Sequence, residues 1–213
     1  MKDLRYPYFL LSAGANYRTK DARKKFGLSD DVLVVGDSGG FQIKTGNLQW
    51  KPELRETILR WLEDNSDIAM NLDIPPGGKI FKDYNECLDL SSENFEYFAK
   101  HRTPGKVDLI NILQAGFDNR TQEWYDQVKD FEFEGWAMGG INMCDMEVML
   151  RRLIIMRDEK KLDGKDWMHV LGTSQLDWAC FLTQVQRQVR KHINVNFTMS
   201  FDSASAFLST ANG

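Results

Sequence analysis

Val32-Leu33-Val34-Val35-Gly36-Asp37-Ser38-Gly39-Gly40 sets a short apolar, β-branched run directly against an acid, a hydroxyl and glycines. The apolar half reads as a strand, because branched side chains suit a pleated, packed surface. The second half reads as the carboxyl end of that strand. The same grammar recurs at Tyr8–Ser12, Ile68–Leu72, Val107–Leu113, Gly135–Met138, Met168–Leu171 and Phe197–Phe201. Between these runs lie amphipathic, charge-rich stretches. PELRETILRWLEDN, Pro52–Asn65, places Leu54, Ile58, Trp61 and Leu62 on one helical face, and Ser91–Lys100, Asp145–Glu159 and Leu176–His192 read the same way. Alternating strand and helix patterns predict a parallel sheet with crossover helices.

What ends each run is more telling. The strands after Tyr8–Ser12 end in Gly36-Asp37, Asp73, Gln114, Gly139-Gly140, Gly172 and Asp202. Steps between these tips are of roughly the length of one βα unit, about 30 residues or more. Parallel α/β folds collect their chemistry at the carboxyl ends of strands. The expected fold is therefore an α/β (β/α)8 TIM-type barrel, with an open doubly wound sheet, whose strand ends look similar, as the alternative. About seven strands are recognisable rather than eight, and ~200 residues is near the floor for this architecture. Only SASAFLSTANG follows Asp202, too little for another βα unit. A missing strand, or a shortened version of a longer protein, is expected. No linker, repeat or low-complexity tract divides the 213 residues, so residues 1–213 are read as one domain.

Composition narrows the classes. A hydrophobic content of 42% supplies a sizeable core, and a formal net charge of -4 argues against a basic nucleic-acid-coating protein, though local basic patches could still meet phosphate. Two such patches are Lys20, Arg23, Lys24 and Lys25, and Arg187, Arg190 and Lys191 on an expected helix; a solvated face is the plainer reading of both. Cys87, Cys144 and Cys180 form no CxxC pair, and His101, His169 and His192 form no spaced cluster, so neither a disulfide framework nor a metal site is expected. The histidines, Trp136 and Trp167 read as structural. No run approaches the ~20 apolar residues of a membrane span, and MKDLRYPYFLL lacks a signal-peptide pattern. The sequons at Asn119 and Asn196 matter only on a secretory route. A soluble, cytoplasmic protein without cofactor, metal or membrane partner is expected.

Asp37-Ser38-Gly39-Gly40-Phe41-Gln42 is the sharpest motif. Glycines let the backbone turn sharply and approach a ligand closely, and the aromatic could stack on a planar ring. The alternative is a plain strand-to-helix turn with Asp37 as helix N-cap. At this motif the chain resembles the tRNA-guanine transglycosylase (queuine tRNA-ribosyltransferase) superfamily, including its DNA 7-deazaguanine-inserting branch, of which DSGGFQ is a hallmark. Collinear pieces extend the resemblance from about Tyr8 to Ala206: SDIAMNLD at Ser66–Asp73, ILQAG at Ile112–Gly116, GWAMGGI at Gly135–Ile141, HVLG at His169–Gly172 and MSFDS at Met199–Ser203.

The resemblance implies a transferase that exchanges guanine for a 7-deazaguanine of the queuine or preQ type, with Asp202 as nucleophile and Asp37 assisting proton transfer and recognising the base. The physical logic agrees, since a carboxylate can displace a base from ribose C1′ through a covalent glycosyl-enzyme. By the same likeness Asp73 accepts the purine N1–H and exocyclic amine. Gln114 and the Gly140 and Ile141 amides, with Gly139 beside them, read the carbonyl side, and Phe41 and Leu171 sandwich the ring. Ser38 belongs to the base-binding set. The target nucleotide would be flipped from its stack. The implied partners are tRNA or DNA and the free base, with a homo- or hetero-oligomer compatible with the family.

Three departures stand out. The family's zinc subdomain, with its CxCxxC-plus-His ligands, has no counterpart, IPPGGK after Asp73 replaces the usual continuation, and the first barrel strand is missing or displaced. Three readings compete: base exchange on tRNA, with DNA as the other polymer; a non-catalytic barrel subunit that binds nucleic acid; and an unrelated two-carboxylate enzyme such as a retaining glycosidase, whose carboxyl groups would stand about 5–5.5 Å apart.

Overall fold

The structure, a computed structural model, describes residues 6–114 and 120–203. Strands and helices alternate along it, giving a mixed α/β fold on a seven-stranded sheet whose neighbours follow chain order. The chain divides into two compact units, Met1–Leu109 with Phe131–Phe133, and Ile110–Asp130 with Glu134–Gly213.

In the first unit β1 (Tyr8–Ser12) pairs in parallel with β2 (Leu33–Asp37), and β2 with β3 (Ile68–Met70). The amino end of β4 (Asp108–Leu113) joins through the Asp108 amide, which donates to the Asp67 carbonyl at 3.0 Å. Val34, Ala69 and Met70 are fully buried, as parallel strands covered on both faces require. Four helices accompany these strands among the described residues before the longest one: α1 (Ala13–Asn16), α2 (Ala22–Lys25), α3 (Gly40–Lys44) and α4 (Leu54–Asn65). The α4 face holds Ile58, Trp61 and Leu62 as expected, with Leu59 beside them, all buried. Each such aliphatic side chain contributes about 1.5–3 kcal/mol on leaving water. Its buried polar residues are tied down. Asn65 accepts from the Ala22 amide at 2.7 Å, and Glu63 pairs with Arg60 at 2.7 Å and accepts from the Thr103 amide.

Helix α5 (Tyr84–His101) begins seven residues before the expected start at Ser91, because the Asp83 side chain caps it, accepting from the Glu86 amide at 2.9 Å. Its mid-helix Ser91 Oγ donates to the Cys87 carbonyl and accepts from the Ile74 amide at 2.8 Å, fastening the chain that follows β3.

In the second unit β4 pairs in parallel with β5 (Gly135–Met138), β5 with β6 (Trp167–Val170), and β6 with β7 (Thr198–Phe201). Its α-helices among the described residues are α6 (Thr121–Val128), which the sequence pattern does not announce, α7 (Met146–Asp158) and α8 (Leu176–His192). Trp124 and Trp136 are buried, their indole N–H groups donating to the Ile112 and Lys161 carbonyls at 3.0 and 2.8 Å, which meets the polar demand of a buried tryptophan. Trp136 is thus core, as its sequence context implied. No helix among the described residues is long and apolar enough to cross a membrane.

Candidate functional site

The two units divide the predicted site residues at or beyond their strand ends: Asp37, Ser38, Phe41 and Asp73 in the first, and Gln114, Gly139, Gly140, Ile141, Leu171 and Asp202 in the second. Gly116 and Asn119 lie outside the described residues, as do Ala204 to Ala206 of the resembling span.

In the first unit the tip of β2 is built tightly. Asp37 is the last strand residue, and its Oδ1 accepts from the Gly39 amide at 3.3 Å. The N-cap position of α3 falls on Gly39 rather than Asp37, so the plain capping alternative fails. Gly39 has φ 101°, a left-handed value that favours glycine. A Cβ there would also lie 2.5 Å from Gly14 Cα. Ser38, buried, donates its hydroxyl to the Asn71 carbonyl at 3.0 Å, tying the β2 tip to the chain just beyond β3. Asp73 is only 2% exposed, and a Cβ at Gly40 would collide with its carboxylate. The second glycine of the motif thus lets the start of α3 lie against that acid. Behind it, burial pushes the Cys87 thiol up to about 11, helped by the negative charges of Glu86, Asp83 and Asp73. Phe41 is 65% exposed and is not a core residue.

In the second unit two groupings form. Gln114 directly follows β4, is 8% exposed, and its amide lies so close to Gly139 that a Cβ there would be 2.6 Å from Gln114 Nε2. Gly140 has φ 58° and opens a 3-10 turn, Gly140–Met143, that includes Ile141. Asn142, which the sequence reading passed over, is buried in that turn and donates through Nδ2 to the Gly139 carbonyl at 3.1 Å. Its signal in the sequence is an asparagine two residues beyond the Gly139-Gly140 pair.

The second grouping surrounds Asp202, immediately after β7. Its Oδ1 lies 3.1 Å from His169 Nε2 and accepts from the Gly172 amide at 3.0 Å. Gly172 has φ 67°, a conformation that favours glycine, and it follows the half-buried Leu171, whose amide donates to the Met138 carbonyl at 3.0 Å. His169 is 2% exposed and its Nδ1 is 2.7 Å from Ser200 Oγ, which also accepts from Trp167 Nε1 at 2.9 Å. His169, read from sequence as an ordinary structural residue, therefore touches the carboxylate of this unit singled out for chemistry, and Trp167 reaches it only through Ser200 and His169. Burial pushes the Asp202 carboxyl up, but the hydrogen bonds from His169 and Gly172 prevail and hold it below the usual aspartate range. With its side chain 32% exposed, Asp202 is an oriented, ionised carboxylate open on one side. Such a group can act as a nucleophile or as an anchor for a developing cation.

The basic patches are partly structural. Arg23 pairs with Asp67 at 2.5 Å and donates to the Val32 carbonyl, while Arg190 donates to the Phe197 carbonyl. Among the described residues no group of three or more His, Cys, Asp or Glu side chains could hold a metal ion. No protein-family profile matches the chain, and no curated protein matches it.

Proposed function

We propose that this chain is a guanine transglycosylase built on a (β/α)8-type barrel, exchanging guanine in tRNA for a 7-deazaguanine base through a covalent intermediate on Asp202. The observation that carries the reading is the state of Asp202: a strand-tip carboxylate kept ionised by His169 and the Gly172 amide, yet open to a ligand. The collinear resemblance of DSGGFQ and the later strand tips supplies the reaction class.

In this mechanism an Asp202 oxygen attacks ribose C1′ as the bond from C1′ to guanine N9 breaks. The electron pair leaves with the base, and Asp37 delivers a proton to it. The incoming base then loses its N9 proton to Asp37 and attacks C1′, expelling Asp202. A carboxylate of depressed pKa is a capable leaving group in that second step, and its low proton affinity keeps it ready at neutral pH. Asp73 accepts the N1–H and amine of the purine, and Gln114 with the Gly140 and Ile141 amides reads its carbonyl edge. By the same resemblance Ser38, Gly139, Phe41 and Leu171 belong to the base-binding set.

The test is incubation of the protein with labelled guanine and, separately, tRNA or DNA. Incorporation into tRNA that Asp202→Asn reduces by at least ~10³-fold supports the reading, since a nucleophile's removal typically costs that much. Incorporation into DNA alone assigns the other polymer. Binding of either polymer without exchange, unaffected by Asp202→Asn, overturns the enzymatic reading in favour of a binding subunit.

A further inference from the structure

The register of β6 and β7 pairs His169 with Ser200 and Trp167 with Thr198. Alternate residues share a sheet face, so Trp167 and His169 on one strand meet Ser200 and Asp202 on the next. The bonds among these four side chains have a direction. The Trp167 indole can only donate, and it does so to Ser200 Oγ. An ionised carboxylate can only accept, so the Nε2 of His169 that faces Asp202 Oδ1 carries the hydrogen. In a neutral imidazole Nδ1 is then an acceptor, and the Ser200 hydroxyl, 2.7 Å away, has its one hydrogen to give.

We propose that Trp167, Ser200 and His169 form a one-way hydrogen-bond chain that holds the His169 imidazole as its Nε2–H tautomer and so positions the Asp202 carboxylate through Oδ1. His169 and Ser200 are positioning residues: they act through Asp202. The Gly172 amide joins on the same oxygen, and the backbone amide of Asp202 also bonds to the carboxylate. The chemical use of that arrangement rests on the transglycosylase reading; the tautomer itself does not.

The experiment records long-range proton–nitrogen correlation spectra of histidine-labelled protein at neutral pH, with His169 assigned by His169→Gln. The expected result is an unprotonated Nδ1 and a protonated Nε2 for His169. Ser200→Ala should mix the tautomers and lower kcat for guanine exchange on the order of 10-fold or more, with KM for the polymer little changed, and Ser200→Thr, which restores the hydroxyl, should recover both signals. A wild-type His169 found as the Nδ1–H tautomer or as imidazolium overturns the proposal. So does an Ser200→Ala protein whose tautomer is unaltered. If the tautomer is as stated but the wild-type protein exchanges no base into either polymer, the positioning chain stands and the transglycosylase reading is what fails.

Discussion

Gly139→Ala probes the Gln114 grouping with a single methyl. A Cβ at residue 139 would sit 2.6 Å from Gln114 Nε2, 2.9 Å from its Cδ and 3.0 Å from its Oε1, and real Cβ contacts under 3.0 Å essentially never occur. The φ of Gly139 is not in the left-handed region, so backbone strain adds nothing. What must yield is the far end of the glutamine. Overpacking a buried site costs about 1–3 kcal/mol, whereas Gly→Ala recovers about 0.4–1 kcal/mol by restricting the unfolded chain. The net expectation is a loss of about 0–2.6 kcal/mol, or up to roughly 10 °C in Tm for a chain of this size. The decisive assay is a double-mutant cycle by urea denaturation. In a Gln114→Ala background the obstructing amide is gone, so the alanine at 139 should become neutral or stabilising, giving a coupling energy of about 1 kcal/mol or more. On the transglycosylase reading, guanine exchange should show the same pattern, with Gly139→Ala no further harmful once Gln114 is truncated. Additivity within about 0.5 kcal/mol would refute the reasoning, because it would mean that the methyl and the amide do not compete for the same space.

Two further outcomes are expected. Because the Asp202 carboxyl is held below its ordinary value, the unfolded chain binds the proton more readily, and the ionised group stabilises the fold at neutral pH. That stabilisation is complete above about pH 4 and fades as pH falls through the folded value, so unfolding free energy below about pH 4 should decline less steeply in Asp202→Asn than in wild type. Identical slopes would contradict the hydrogen-bonding described. Cys87, buried with its thiol pushed up to about 11, should resist iodoacetamide at pH 8 in the native protein, while the exposed Cys144 and Cys180 react. Mass spectrometry should find two adducts natively and a third only on unfolding, and three adducts forming at one rate would disprove the burial of Cys87.

Much of the scaffold was legible along the chain. The strand Tyr8–Ser12 and the helix Leu176–His192 have the expected bounds, and the polar tips Asp37, Gln114 and Asp202 fall at or just after strand ends. Strand β3 stops at Met70 instead of Leu72, since the Asn71 carbonyl turns to accept from Ser38 and Ile74 is taken up by Ser91. An apolar run marks what is buried, and backbone partners decide where pairing ceases. Helix α6 has no clear signature in the sequence because its eight residues span barely two turns, too short for a clear helical period. The first two turns of α5, with Asn85, Glu86 and Asp89 among them, precede the expected start at Ser91 because polar residues there carry little helical period, and the Asp83 cap sets the start.

Local sequence alone determined the alternation of strand and helix, the acid and glycine residues at the tips, and the turn at Gly39, because these depend on neighbours a few residues apart. Tertiary structure decided which side chains meet. His169 and Asp202 are 33 residues apart and touch only through the β6–β7 register, as Gln114 and Gly139 touch only through the pairing of β4 with β5. A slip of one residue would turn His169 to the opposite face. That register is set by packing spread over both strands and their covering helices, which no single stretch of sequence encodes.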